Sequence, residues 1–169
     1  VRWTRQHQIE NGFLYGDNFT ETKTYENEKL EEVRKLFAQH RKIVVVARYT
    51  EQLQVYRKWA ERAGIKTFLL SGETQNRQEI IDQANASDSC LFLMQASCSA
   101  GFELPTFRVM VFASLSFSYV DYKQACGRIL RINNLQENKY IHLVADGVDR
   151  DVYDCIMEKK DFSMKIYEK

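Results

Sequence analysis

Apolar residues along this chain recur in two rhythms. From Glu26 to His40 the residues Leu30, Val33, Leu36 and Phe37 fall at helical spacing, with Glu26 and Glu28 near the start, where the positive end of a helix favours acid. This predicts an amphipathic helix. Lys42 to Ala47, KIVVVA, is β-branched and apolar on both sides, the pattern of a central parallel strand covered on both faces. Thr50 is placed to cap a second helix, with a stripe of Leu53, Tyr56, Trp59, Ala60 and Ala63 and with Gly64 where a left-handed residue ends it. On that stripe Trp59 is expected to be buried against the sheet.

The alternation continues. Thr67 to Leu70 reads as a strand, Ser71 and Gly72 as a turn, Thr74 to Ala84 as a polar helix and Cys90 to Met94 as a buried strand. A loop with Gly101 and the only proline, Pro105, leads to a strand over Arg108 to Ala113, and Lys139 to Ala145 makes another. Helices are predicted from Tyr119 to Ile132 and from Val148 to Lys159. Strands alternating with helices imply an α/β fold, an open, mostly parallel sheet with helices on both faces, whose ligands bind at the carboxyl ends of the strands.

Composition narrows the function little. The 169 residues carry 24 Lys and Arg against 23 Asp and Glu, so no global basic field marks a nucleic-acid binder, and any such surface is local. No apolar run approaches the roughly 18 residues of a membrane span, so no membrane contact is expected. Cys90, Cys98, Cys126 and Cys155 lack metal-ligand spacing, which argues against zinc or a disulfide framework. They read as reduced core thiols, and a reducing, intracellular, cytoplasmic setting is the expectation. VRWTRQHQIE does not have the form of a signal peptide, and its polar start reads as the continuation of a longer polypeptide.

The chemistry concentrates in Tyr119 to Arg131, YVDYKQACGRILR. On a helical wheel Tyr122, Ala125, Cys126, Ile129 and Leu130 form a buried stripe, while Gln124, Arg128 and Arg131 share the opposite face. Ser118 and Asp121 mark a capped start. Two neighbouring arginines repel each other, which an anion relieves, and Gly127 inside a helix implies a close approach by something. Taken alone, a pair of arginines at this spacing is ordinarily a solvated face.

The string QACGRILR resembles QxxGRxxR, the motif VI signature of superfamily-two helicases. The resemblance implies a second RecA-like lobe whose Arg128 and Arg131 reach the γ-phosphate of ATP held on a first lobe, one as an arginine finger, with Gln124 orienting them; Gly127 is assigned to the same nucleotide site. Planar guanidinium groups suit that task through bidentate bonds to phosphate oxygens. Other segments follow in the family's order. QASCSAGFELP, Gln95 to Pro105, resembles motif V: Gly101 would let the backbone approach nucleotide or nucleic acid, and Glu103 stands where the family has the Asp or Asn that meets the ribose. KIVVVARYTEQLQVYRKW resembles motif IV, which places Arg48 and Tyr49 against the nucleic-acid backbone; Ser71, Gly72, Arg77, Gln95 and Ser97 are assigned to the same track.

RQHQIENGFLYGDN resembles the connector entering the second lobe in Swi/Snf-related and phage-type helicases, so residues 1–25 are expected to be leader and 26–169 the lobe itself. The DEAD-box branch has His and Arg where Gln124 and Ala125 stand. There is no GxxxxGK[ST] loop and no DE pair, so ATP and Mg²⁺ are expected to bind mainly to a first, N-terminal lobe of the same polypeptide. No metal ligand is assigned here, and the isolated chain is expected to lack ATPase activity. The partners implied are that lobe and a DNA (or RNA) backbone. Two alternatives stand: a Rossmann-like binding or transferase domain, for which the glycine-rich loop is missing after the first strand, and a degenerate lobe kept for protein docking.

Overall fold

The computed structural model describes residues 2–16, 21–130 and 137–163. The chain opens with α1 (Arg2–Glu10) and two short antiparallel strands, β1 (Phe13–Tyr15) and β2 (Thr22–Thr24). Then come α2 (Glu28–His40), β3 (Lys42–Ala47), α3 (Thr50–Arg62), β4 (Thr67–Leu70), α4 (Arg77–Ala86), β5 (Cys90–Gln95), β6 (Val109–Phe112), α5 (Tyr119–Gly127), β7 (Lys139–His142) and α6 (Val148–Met157).

Strands β3 to β7 form one parallel sheet in the order β4-β5-β3-β6-β7, with KIVVVA at its centre. Alternate residues of each strand point to opposite faces, so a central strand must be apolar throughout. Ile43, Val45, Leu91, Leu93 and Val111 pack under Leu30, Val33 and Phe37 of α2 and Leu53, Tyr56 and Ala60 of α3. Val44, Val46, Phe92, Met94, Met110 and Phe112 pack on the other face, with Ile81 of α4, Ala125 of α5 and Val152 and Ile156 of α6. Burying any one of these larger side chains contributes about 1.5–3 kcal/mol, and the two layers together make the α/β sandwich.

Several local expectations change. Tyr49, not Thr50, occupies the N-cap position of α3, and its side chain makes no capping bond. Gly64 does adopt φ +67 after that helix. Trp59 is half-buried rather than enclosed: it meets Phe37 edge-on at 6.4 Å and carries Arg34 over its ring at 5.7 Å, at the outer margin of the α2–α3 layer. Cys126 and Cys155 are likewise half-buried, and all four thiols are free. Helix α5 ends at Gly127, earlier than the apolar rhythm implied. Ile129 is buried, but Leu130 leaves the stripe and is 63% exposed, because the chain turns away to pair the Leu104 N–H with the Arg128 carbonyl at 2.8 Å. The cap by Ser118, which accepts from the Asp121 N–H at 3.3 Å, is present as expected.

The leader contributes buried polar groups. His7, Gln8 and Asn11 are almost wholly enclosed, as are Lys29 on α2 and Asp149 on α6. Lys29 Nζ donates to Asn11 Oδ1 at 2.8 Å, to the Ala113 carbonyl at 2.7 Å and to Asp149 Oδ2. Asp149 also accepts from His7 Nε2 at 3.1 Å and from the Ala145 N–H at 3.1 Å. Burial alone would raise its carboxyl pKa; the His7 hydrogen bond and the Lys29 charge outweigh that and hold it below the ordinary carboxylate range. Burial opposes charge on Lys29, yet three acceptors surround its nitrogen, and only an ammonium has a proton for each. Glu10 closes the array by accepting from the Val148 and Asp149 N–H groups at 3.3 and 3.0 Å, a carboxylate at the positive end of α6.

Candidate functional site

Because the five strands run parallel, the loops after their carboxyl ends share one rim. Arg48 and Tyr49 follow β3, Ser71 and Gly72 follow β4, and Gln95 and Ser97 lie at the end of β5. The rim is cross-linked. Gln95 Oε1 accepts from the Gly72 N–H at 3.2 Å, tying the ends of β4 and β5. The Ser71 N–H donates to Thr74 Oγ1 at 2.9 Å, while Gly72 and Ser97 are exposed. The Arg48 N–H donates to Ser114 Oγ at 2.9 Å, and that hydroxyl donates to the buried Gln52 at 2.6 Å, so the loop after β3 is pinned to the loop after β6.

Arg48 does not stand free in solvent. Its guanidinium carbon lies 3.7 Å from the Phe117 ring centre and 5.5 Å from that of Tyr49, and its Nε is buried without a hydrogen-bond partner among the described residues. One Nη of Arg77, assigned to the track, donates to the Cys98 and Ala100 carbonyls at 2.8 and 3.4 Å, holding the start of the loop that contains Gly101. Gly101 has φ +82 and open space around its Cα, so the backbone conformation, not crowding, calls for glycine.

The far end of that loop is held by Arg128, whose Nη1 donates to the Phe102 carbonyl and whose Nε donates to the Gln124 carbonyl at 2.9 Å. Among the described residues Nη2 has no acceptor, which leaves one edge of a half-buried guanidinium open to an anion. Gln124 and Glu103 are exposed. Around Gly127 a Cβ would meet nothing within 4 Å, so the close approach expected there is made by no described atom of this chain. Arg131 lies outside the described residues.

These residues do not form one cluster at the strand ends. As the crossover between parallel β6 and β7, α5 runs back toward the amino ends of the strands, where Asn138 donates to the Ile129 carbonyl at 3.0 Å just before β7 begins. Arg128 therefore belongs to a second region, joined to the rim by the segment from Gln95 to Leu104. A cavity of about 240 Å³ lined by Arg77, Ile81, Cys98, Gly101 and Phe102 lies along that segment. Among the described residues no group of three or more His, Cys, Asp or Glu side chains is placed to hold a metal ion, and no helix is long and apolar enough to cross a membrane.

Residues 28–133 match the family described as the helicase conserved C-terminal domain, a span that contains every rim residue together with Gly101, Glu103, Gln124, Arg128 and Arg131. The chain belongs to this helicase family. The helicase C-terminal domain is similar in fold to two solved structures. One is the C-terminal part of the Fun30 ATPase domain, at TM-score 0.69 and 19% identity, covering 84% of this chain and 50% of that one. The other is the C-terminal domain of the DEAD-box protein Dbp5, at TM-score 0.66 and 17% identity, covering 79% of each. This chain thus spans half the length of the Fun30 chain. No curated protein matches it in sequence. The expectation of a RecA-like second lobe holds, and the Rossmann-like transferase alternative falls away.

Sequence reasoning missed the array of His7, Asn11, Lys29 and Asp149, since charged residues at such separations read as solvated. It also did not show that Arg77 holds two backbone carbonyls. The one available signal for the first was a run of buried-type polar residues, HQIEN, in a leader with no apolar stripe.

Proposed function

We propose that this helicase C-terminal domain is the second motor lobe of an ATP-dependent DNA (or RNA) helicase or translocase, paired with an N-terminal lobe of the same polypeptide. The observation that carries the reading is the family match across residues 28–133, which takes in both arginines of the QACGRILR segment and the loops at the rim. Arg128 supports it physically: its guanidinium is held by two backbone carbonyls, and among the described residues its Nη2 has no acceptor.

In this reading Arg128 and Arg131 bind the terminal phosphate of ATP, which with Mg²⁺ is carried mainly by the first lobe and supplies the phosphoryl group whose hydrolysis drives lobe movement. Planar donors fixed in advance stabilise negative charge as it develops, without reorganising at the moment of reaction. Arg48 and Tyr49, with Ser71, Gly72, Gln95 and Ser97, face the nucleic-acid backbone. The segment from Gln95 to Leu104, gripped by Arg77 at one end and Arg128 at the other, joins the two regions. Glu103 is placed beside the ribose, its side chain exposed.

The test is Arg128→Ala in the intact two-lobe polypeptide, measuring nucleic-acid-stimulated ATPase and nucleotide affinity separately. Turnover is expected to fall by more than about tenfold with affinity little changed, since arginine fingers contribute about 10³–10⁵ in rate in related systems. Unchanged turnover in a folded Arg128→Ala protein refutes the assignment.

A further inference from the structure

The guanidinium of Arg48 rests between two rings, and one buried side chain touches both of them. His7 is wholly enclosed; its ring centre lies 5.4 Å from that of Tyr49 and 5.5 Å from that of Phe117. Its Nδ1 is 2.6 Å from the Tyr49 hydroxyl and its Nε2 is 3.1 Å from Asp149 Oδ1. A carboxylate only accepts, so Nε2 donates to Asp149, and Nδ1 and the Tyr49 hydroxyl share a second hydrogen bond. Burial pushes the Tyr49 phenol up from its ordinary pKa, which keeps the hydroxyl protonated. Asp149 is in turn fixed by Lys29 and the Ala145 N–H. A rigid chain of hydrogen bonds therefore runs from α6 through the leader helix to the loop after β3.

We propose that His7 is a positioning residue for Arg48: it locks the Tyr49 and Phe117 rings that hold the guanidinium, and so makes α1 a working part of the surface that meets the nucleic-acid backbone. The inference rests on the reading of Arg48 as a backbone contact. An arginine on a loop loses rotamer freedom when it meets a phosphate, and stacking on Phe117 at 3.7 Å removes that freedom beforehand. Tyr49 thus serves through its ring and its bond to His7. Asp149 is the charged group bonded to His7, Lys29 is bonded to Asp149, and Glu10 on the same helix as His7 is engaged by the Val148 and Asp149 N–H groups.

The test uses the 169-residue chain and two readouts. The first is the Nε–Hε resonance of Arg48 in ¹⁵N spectra, displaced by the Phe117 ring current. The second is affinity for a fluorescein-labelled DNA duplex, followed by anisotropy across about 50–200 mM salt. Arg48→Ala is expected to weaken DNA binding by about tenfold at low salt and to lower the salt slope by about one. His7→Ala is expected to return the Arg48 resonance to its unstacked position and to weaken binding comparably. The double variant should bind no more weakly than Arg48→Ala alone, because residues acting through one contact are not additive. Tyr49→Phe, which keeps the ring and removes only the hydroxyl, and His7→Gln, which keeps a buried hydrogen-bonding group, carry the test if His7→Ala fails to fold. Tyr49→Phe is expected to move the resonance as His7→Ala does, and His7→Gln to restore part of it. An Arg48 resonance unmoved in every folded variant at these two positions overturns the positioning role, as do losses that multiply in the double variant. Wild-type DNA binding by Arg48→Ala instead overturns the reading of Arg48 beneath it, and the inference with it.

Discussion

Replacing Asp149 by Ala is expected to remove a large share of the domain's stability. The carboxylate is 4% exposed and answers Lys29, which is 6% exposed, together with His7 Nε2 and the Ala145 N–H. Its removal leaves an ammonium with two neutral acceptors, Asn11 and the Ala113 carbonyl, and only Glu10, which is not bonded to it, as counter-charge. Breaking a buried pair from one side costs about 3–5 kcal/mol, because the remaining ion is uncompensated. The orphaned donors on His7 and Ala145 push the total toward the upper end of that range. Whole domains are stable by only about 5–15 kcal/mol, so this is a large share. At roughly 2–4 °C per kcal/mol for a domain of this size, melting followed by circular dichroism should shift downward by about 10–20 °C. Lys29→Met combined with Asp149→Leu should recover much of the loss, since apolar replacement of both partners removes the stranded charge. A melting temperature for Asp149→Ala within about 2 °C of the parent would refute the view that this array is buried and ionised.

Other outcomes follow from the same contacts. The depressed pKa of Asp149 means its stabilisation is present above the ordinary carboxylate value near 3.9 and is lost as pH falls through the folded value; the acid limb of stability against pH should flatten in Asp149→Asn, read by urea titration at stepped pH. Gly147 has φ +126, a backbone conformation that side-chain-bearing residues rarely adopt, so Gly147→Ala should cost about 1–3 kcal/mol, read by thermal melting, while the Glu10 and Gln6 side-chain ends nearest a Cβ shift aside. In the intact polypeptide Arg128→Lys should restore little of the ATPase lost in Arg128→Ala, since an ammonium lacks the planar fork; full rescue would refute the bidentate role. Because Arg128 also bonds the Phe102 carbonyl, Arg128→Ala should lower stability by about 1–2 kcal/mol, measurable by thermal melting.

The sheet was readable wherever burial is two-sided. KIVVVA and CLFLM carry no polar alternation, and the structure places them as neighbouring central strands, paired from Lys42↔Cys90 to Ala47↔Gln95. The end of α5 was not readable, because GRILR keeps a helical rhythm that only a long-range contact interrupts: Leu104, far along the chain, takes the Arg128 carbonyl. The leader was opaque for the opposite reason, since α1 is held by His7, Gln8 and Asn11 and has no apolar stripe to announce it. Of the site, QACGRILR carried the resemblance to the family, while Arg48 beside two rings and Arg77 on two carbonyls depend on tertiary neighbours that no spacing reports.

The contact between His7 and Asp149 joins positions 142 residues apart. A nascent chain can therefore finish α2, β3 and α3 long before the partner of its first helix exists, and during that time α1 has neither Asp149 to bond nor the α6 terminus for Glu10 to cap. Loop-closure entropy and the high sequence separation of the parallel pairings both delay the last step. The consequence is an expected order of events: α2, β3 and α3 have their mutual partners first, and the seating of α1 against α6 comes late. Slow refolding should then appear as delayed protection of the His7 and Asn11 amides relative to those of β3 and β5.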